Sequence, residues 1–316
     1  MASEGKKTIV VFGATGAQGG SVIKSILADP KAAAQFQIRA VTRDPSKPSA
    51  KALADQGCEL VTADLNNEKD VVRALKGAYG AFAVTNFWET GDPSVEIAQG
   101  KNVADAAKET KLQHLVWSSL IDVTELSKGV LSKVVHFDSK AAVEKYIRSL
   151  DINASFFRPG YYMSNLLQVV RPSGDGSGTY SVPLPNPTTA PLPLFDPATD
   201  TGKFVKAIFL AGEKAFGKTY NAAVAYVTPE EIASEWSAVT GKKAKAVVAD
   251  GKAWKAELTG YGLSEVAAEE LLQTMRLMGE FGYYGGAPLE ESHKILDEKL
   301  TTWKEFVAKQ DKWKNL

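Results

Sequence analysis

The stretch Val10-Val11-Phe12-Gly13-Ala14-Thr15-Gly16-Ala17-Gln18-Gly19-Gly20-Ser21 decides the fold of this chain. A β-branched run, Thr8 to Phe12, leads into a loop with glycines at 13, 16 and 19, and an amphipathic segment follows from Ser21 to Leu27. Strand, glycine turn and helix in that order are the context in which this spacing means dinucleotide binding. Gly13 permits a sharp turn off the strand, where a Cβ would be strained. Gly16 lets backbone approach a pyrophosphate, and Gly19 lets the helix pack close to the strand. The free N–H groups around the helix start then face the phosphates, with Thr15 and Gln18 in the same loop. The plainer alternative is an ordinary strand–helix turn.

Working outward, residues 8–158 repeat the alternation. Strands are expected at Thr8–Phe12, Ile38–Thr42, Glu59–Ala63, Ala81–Thr85, Leu115–Ser118 and Ala154–Phe157. Helix-like periodic segments lie between them at 21–28, 49–56, 68–76, 95–110 and 137–150. This alternation predicts an α/β fold: a Rossmann-like, doubly wound parallel sheet with ligands outside the carboxyl ends of its strands. The pattern changes after Arg158-Pro159-Gly160. The expected division is a dinucleotide-binding domain over 1–158 and a smaller mixed region over 159–316. That second region should bind substrate or partner and pack over the strand ends. Residues 172–197 hold seven of the fourteen prolines, and Pro183-Leu184-Pro185-Asn186-Pro187 reads as neither central strand nor helix. A long loop is expected there. Thr228-Pro229-Glu230-Glu231 predicts an N-cap, a first-turn proline and a capping box for a helix running to about Thr240. Another helix is expected over Ser264–Met278.

Composition excludes several classes. Of 316 residues, 44% are hydrophobic and 23% charged, as in ordinary globular proteins. Lys plus Arg and Asp plus Glu number 37 each, which argues against direct nucleic-acid binding, because that needs a basic face. Cys58 is the one cysteine, so no intramolecular disulfide can form, which suits a reducing compartment. It opens an apolar run and reads as a small buried hydrophobe. Met1 to Lys7 carries no apolar signal region, and no run is long enough to span a membrane. The expected location is the cytoplasm, with the nucleus also open, as is an oligomeric state. With no cysteine partner and no His-x-x-x-His spacing, no metal site is expected.

The end of the second strand selects the cofactor. NAD enzymes place an acidic residue there, about 20 residues past the glycines. This chain reads Ala40-Val41-Thr42-Arg43-Asp44-Pro45-Ser46-Lys47. A guanidinium at 43, with Thr42 beside it and Lys47 one turn later, suits a 2′-phosphate and favours NADP(H). Solvated surface charge is the bland alternative, and Asp44 could take over the hydroxyl role. Asp64 ends the third strand where an adenine amino group would lie, and a turn aspartate fits the same spot. Asn86, in Thr85-Asn86-Phe87-Trp88, ends the fourth strand on the nicotinamide-ribose side.

Gly13-x-x-Gly16-x-x-Gly19, Val41-Thr42-Arg43-Asp44-Pro45, Ala63-Asp64, Val84-Thr85-Asn86-Phe87-Trp88-Glu89, His136-Phe137-Asp138-Ser139-Lys140 and Arg158-Pro159-Gly160-Tyr161-Tyr162-Met163-Ser164-Asn165 together resemble the NmrA-like family. These are atypical short-chain dehydrogenase/reductase relatives, and the likeness is greatest to their NADPH redox-sensor members of the HSCARG type. The resemblance implies that Gly13, Gly16, Gly19, Arg43 and Lys140 contact the cofactor, with Lys47 and Asn86 matching more loosely. It also implies a protein partner such as a transcription factor, since the family's founder is a fungal regulator of that kind.

The chain departs from catalytic relatives at one place. Those use Tyr-x-x-x-Lys, where the tyrosine gives a proton and the lysine holds the ribose. No tyrosine here has a lysine four residues on; His136 stands four before Lys140 instead. Residues i and i+4 share a helix face, so the pair is placed alike. Histidine is a competent acid near neutral pH. A structural histidine at a helix start is the plainer reading of the sequence. Ser118 and Ser119 end the fifth strand, as catalytic serine or strand-end cap. Two functions follow. The favoured one is an NADP(H)-binding redox sensor or transcriptional regulator with little or no turnover. The alternative is an NADPH-dependent reductase of a small carbonyl, imine or alkene, in which Lys140 and His136 are the catalytic candidates.

Overall fold

The computed structural model describes residues 5–314 and 316. Its centre is a seven-stranded sheet in the order β3-β2-β1-β4-β5-β6-β11. These strands are β1 (Lys7–Val11), β2 (Phe36–Thr42), β3 (Glu59–Thr62), β4 (Gly80–Ala83), β5 (His114–Ser118), β6 (Ala154–Pro159) and β11 (Thr219–Ala222). Every pairing in it is parallel. The chain starts at β1, an inner strand, runs out to the edge at β3, and returns across β1 to build the other half from β4. That reversal opens a crevice at the carboxyl ends of β1 and β4. Ile9, Val10 and Val11 are fully buried, as expected of strands covered on both faces. The expected Rossmann-like α/β architecture is the observed one.

The last strand of this sheet comes from beyond residue 159, and so does a helix that covers one of its faces. Helix Pro197–Ala211 lies against helix Ala17–Ala28 so closely that a Cβ on Gly202 would sit 2.1 Å from the Ser21 carbonyl oxygen. The Gly202 N–H donates to Ser21 Oγ at 2.9 Å. Lys206, almost wholly buried on the same helix, pairs with Asp29 at 2.7 Å and with Glu298. Cys58 is buried in the apolar cluster on this face, and burial pushes its thiol up.

The proline-rich segment departs from expectation. Instead of one long loop it contains two strands, β9 (Tyr180–Leu184) and β10 (Leu192–Phe195), each central in a three-stranded sheet. β9 lies between β8 (Arg171–Pro172) and β13 (Ala244–Val248); β10 lies between β7 (Tyr161–Tyr162) and β12 (Ala225–Val227). The prolines fit because the flanking strands are short. β8 reaches only Tyr180 and Ser181, so Pro183 is paired on one side alone, with Val247. Pro193 likewise faces Tyr226 of β12 and has no partner on β7. A proline has no N–H to give, so it fits where the side its N–H would face has no paired strand. The two expected C-terminal helices form as Pro229–Thr240, with the Thr228–Glu231 capping box, and Glu265–Glu280, capped by Ser264.

Candidate active site

The glycine loop has the geometry its spacing implies. Gly13 has φ +63°, and a Cβ there would lie 2.9 Å from Val84 Cγ1. A Cβ on Gly19 would lie 2.2 Å from the Gly13 carbonyl oxygen, so only glycine lets the helix start this close to the strand. Gly16 is the N-cap of helix Ala17–Ala28 and brings no side chain to its open N–H groups. The result is a backbone cradle at a helix start, which fits a pyrophosphate. The cradle opens into a cleft of about 910 Å³ that runs over the carboxyl ends of β1, β2, β4 and β5.

One end of the cleft is lined by Thr42, Arg43, Lys47 and Asp64. Arg43 projects from the end of β2 and pairs across the cleft with Glu89, whose carboxylate raises the guanidinium above its ordinary value. Both are exposed, Arg43 at 67% and Glu89 at 45% of the side chain. Asp44 is occupied locally: its Oδ1 accepts from the Ser46 N–H at 2.9 Å and the Ser46 hydroxyl at 2.6 Å, and those bonds hold its carboxyl low. Asp64 lines the cleft and also closes a turn by accepting from the Asn66 N–H and amide, each at 2.9 Å.

Lys140 lies midway along the cleft on helix Val135–Ser149. Its ammonium donates to the Thr85 carbonyl at 3.0 Å, to Thr85 Oγ1 at 2.9 Å, and to Glu96. Three protons are thus committed to three acceptors. Glu96 is 2% exposed and also accepts from Thr85 Oγ1 and Ser139. Burial lowers Lys140, and the Glu96 charge opposes that. Asn86, next after Thr85, is exposed at the cleft wall.

Gln18 turns inward. Its amide donates to the Tyr162 hydroxyl at 2.6 Å, and its oxygen accepts from Ser118 at 2.8 Å. Burial raises the Tyr162 phenol, and the bond from Gln18 opposes the rise. Ser119 instead donates to the Leu120 carbonyl. His136 lies one turn before Lys140, as their spacing requires. Its ring contacts Phe87 and Trp88, and Nδ1 is 2.6 Å from Glu270 Oε1.

Beyond His136 the cleft becomes apolar. Its walls here are Trp254 and Leu258 of helix Gly251–Gly260, Leu271 and Met275 of helix Glu265–Glu280, and Tyr161 with Tyr283. Burial raises both phenols, and Tyr283 donates to the Pro159 carbonyl at 3.1 Å.

The structure therefore brings every cofactor candidate read from the sequence to the cleft. Glu89, Glu96, Glu270 and the apolar wall were not anticipated. Glu96 and Glu270 lie in helices whose sequence gives acidic residues an exposed look, and only the tertiary packing buries them. No group of three or more His, Cys, Asp or Glu able to hold a metal occurs among the described residues. No helix among them is long and apolar enough to cross a membrane.

A parallel sheet of this strand order, with a glycine cradle at its switch point, defines a Rossmann-like protein. The chain belongs to the NmrA-like family, whose model it matches over residues 5–307. The NmrA-like family domain-containing oxidoreductase notA of Aspergillus sp. (strain MF297-2) is 32% identical over 92% of this chain and 88% of its own length. The fold matches NmrA, a negative transcriptional regulator in complex with NADP, with TM-score 0.79, 24% identity and coverage of 96% of this chain and 95% of that one. It also matches the Citrobacter sp. triphenylmethane reductase complexed with NADP(H), with TM-score 0.76, 24% identity and coverage of 95% and 98%.

Proposed function

We propose that this protein is an NADPH-dependent oxidoreductase that reduces a small, largely apolar carbonyl, imine or alkene. The observation that carries the reading is the continuity of the cleft from the glycine cradle to an apolar compartment roofed by the C-terminal helices. Such a compartment buries an organic substrate and excludes water. In this reading Gly13, Thr15, Gly16 and Gly19 hold the pyrophosphate, and Gln18 braces the loop through Ser118 and Tyr162. Thr42, Arg43 and Lys47 take the 2′-phosphate, Asp64 the adenine side, and Asn86 and Lys140 the ribose next to the nicotinamide. Lys140 meets a ribose hydroxyl only by exchanging one of its three present acceptors. The bound cofactor supplies a hydride. The chain supplies orientation, a dry pocket and a proton from His136.

The oxidoreductase names among relatives at least 30% identical support the same reading. The test is NADPH absorbance with a panel of aldehydes, ketones, quinones, imines and enones. Oxidation that falls in both Lys140→Ala and His136→Phe is the expected result. Flat absorbance throughout, with NADPH bound, overturns it and returns the protein to the sensor with a protein partner that the sequence favoured.

A further inference from the structure

Glu270 is the only carboxylate among the described residues that contacts His136, and it comes from the C-terminal part of the chain. It is 2% exposed. A single oxygen, Oε1, accepts from the His136 backbone N–H at 2.7 Å and lies 2.6 Å from ring Nδ1. The backbone bond has a structural purpose: helix Val135–Ser149 begins at Val134 with no side-chain cap, and Glu270 satisfies one of its open donors. The ring contact goes further. A carboxylate only accepts, so the proton of this bond sits on Nδ1. Nε2 is then the nitrogen left for anything in the cleft, and among the described residues it has no partner. Trp88 and Phe87 hold the ring at centroid distances of 5.1 and 5.9 Å. Lys140, the nearest cation along the helix, is committed to Glu96. On the same helix as Glu270, Leu271, Thr274 and Met275 line the apolar compartment.

We propose that Glu270 is a positioning residue that fixes the tautomer of His136 and gives its protonated ring a counter-charge, so that Nε2–H serves a developing oxygen or nitrogen anion in the apolar compartment. This rests on the reductase reading above. In the step it serves, the Nε2–H bond breaks and an O–H or N–H bond forms on the substrate. The ring is left neutral with its remaining proton on Nδ1, and the two electrons come from the reduced nicotinamide. Glu270 keeps its charge throughout and touches neither substrate nor cofactor. The helix that walls the substrate compartment thereby also governs the proton source.

The test uses the full chain without cofactor at about pH 5.5, below the ordinary histidine value of about 6.5, and two planar nitroaromatic probes: 2,4-dinitrophenolate, still an anion there, and neutral nitrobenzene. Wild type binds the anion at least tenfold tighter than the neutral probe, a difference of about 1.4 kcal/mol. His136→Phe and Glu270→Gln both bring that ratio close to one while leaving nitrobenzene affinity unchanged. Glu270→Gln retains an acceptor for the helix N–H, so a purely structural Glu270 predicts an unaltered ratio. In a second measurement, ¹⁵N ring shifts of apo wild type report the Nδ1–H tautomer. A Glu270→Gln ratio equal to wild type, or an Nε2–H tautomer in neutral wild type, overturns the proposal and leaves the reductase reading standing. Failure of both probes to bind wild type overturns the apolar compartment as a substrate site, and this proposal with it.

Discussion

Replacing Glu96 by Gln tests whether Lys140 is carried as a buried charge. The substitution keeps the shape and an oxygen for Lys140 and Thr85, and the Ser139 hydroxyl can turn to accept from the new amide. What is lost is the negative charge beside the ammonium of a side chain that is 12% exposed. Removing one partner of a buried pair costs about 3–5 kcal/mol, because the other charge stays buried without compensation. Thr85 still offers Lys140 two oxygens, which puts the loss at the low end, about 3 kcal/mol. At 2–4 °C per kcal/mol this lowers Tm by about 6–12 °C, read by circular dichroism on the cofactor-free protein at neutral pH. The pH dependence has a definite sign. Burial depresses Lys140 in the folded state below its ordinary value of 10.5, and loss of Glu96 depresses it further. Below the folded value both states carry the proton, and the penalty is complete. Between the folded and unfolded values only the unfolded chain carries it, so stability rises with pH. The deficit of Glu96→Gln therefore shrinks as pH climbs from neutral toward 10.5. A Tm within 2 °C of wild type at neutral pH (less than the effect of about 1 kcal/mol) would refute the reasoning, as would a deficit that does not change with pH.

Further outcomes concern the nucleotide site, the glycine loop and a buried histidine. Arg43→Ala removes a preference for NADP(H) over NAD(H) of about tenfold by calorimetry, whereas Glu89→Gln frees the guanidinium and tightens NADP(H) by up to about fivefold, the scale of an exposed ion pair; equal nucleotide affinities in wild type would refute both. Gly16→Val still folds, because the backbone there is extended and the Gly13 carbonyl oxygen, 3.3 Å from a Cβ, has to give by only a few tenths of an ångström, but it forgoes the stabilisation of about 2.7 kcal/mol that NADPH gives wild type at 100 Kd. Gly19→Ala, with its Cβ driven onto backbone, loses stability without any ligand, and a Gly19→Ala protein as stable as wild type would show the loop is looser than described. His114 donates through Nε2 to Ser155, because the Ser155 hydroxyl is itself committed to the Ala215 carbonyl, and Nδ1 is buried with no partner among the described residues. Burial holds this histidine at about 4, well below its ordinary 6.5, so between those values the unfolded chain binds the extra proton and stability falls as pH drops. The loss reaches about 3 kcal/mol by pH 4, and urea unfolding of His114→Gln should show the smaller slope.

What the sequence made legible was local. The glycine loop, β1 to β6 and the two capped helices each leave a signal within about a dozen neighbouring residues, because turn chemistry and hydrophobic period are short-range. Arg43 became a candidate in the same way, by its position after a strand, whereas Lys140 became one only through the family resemblance. The misread segment was one where local chemistry and tertiary context conflict. Prolines at 183 and 193 argue against central strands, and only the shortness of β7 and β8 makes room for them. The buried acids were invisible for a related reason. Glu96 is a first-turn acid on helix Pro93–Glu109, which is ordinarily a solvated position, and its partner Lys140 is 44 residues away. Glu270 is 134 residues from His136. No pattern in one sequence announces such pairs.

The place of β11 at the end of the central sheet has a consequence for the protein as it leaves the ribosome. β6 ends at Pro159 and its neighbour begins at Thr219, so about 60 residues must be added before the edge of β6 can be covered. At roughly 5–20 residues per second this takes about 3–12 s. For much of that time helix Pro197–Ala211 is also missing, and the face of helix Ala17–Ala28 that bears Ser21 lies bare. A nascent chain with an unpaired strand edge that carries Phe156 and Phe157, and with an uncovered helix, is the kind of intermediate that aggregates or recruits chaperones. The phosphate cradle is among the first parts synthesised. The helix that carries it gains its brace only when the chain comes back, 181 residues after Ser21, at Gly202.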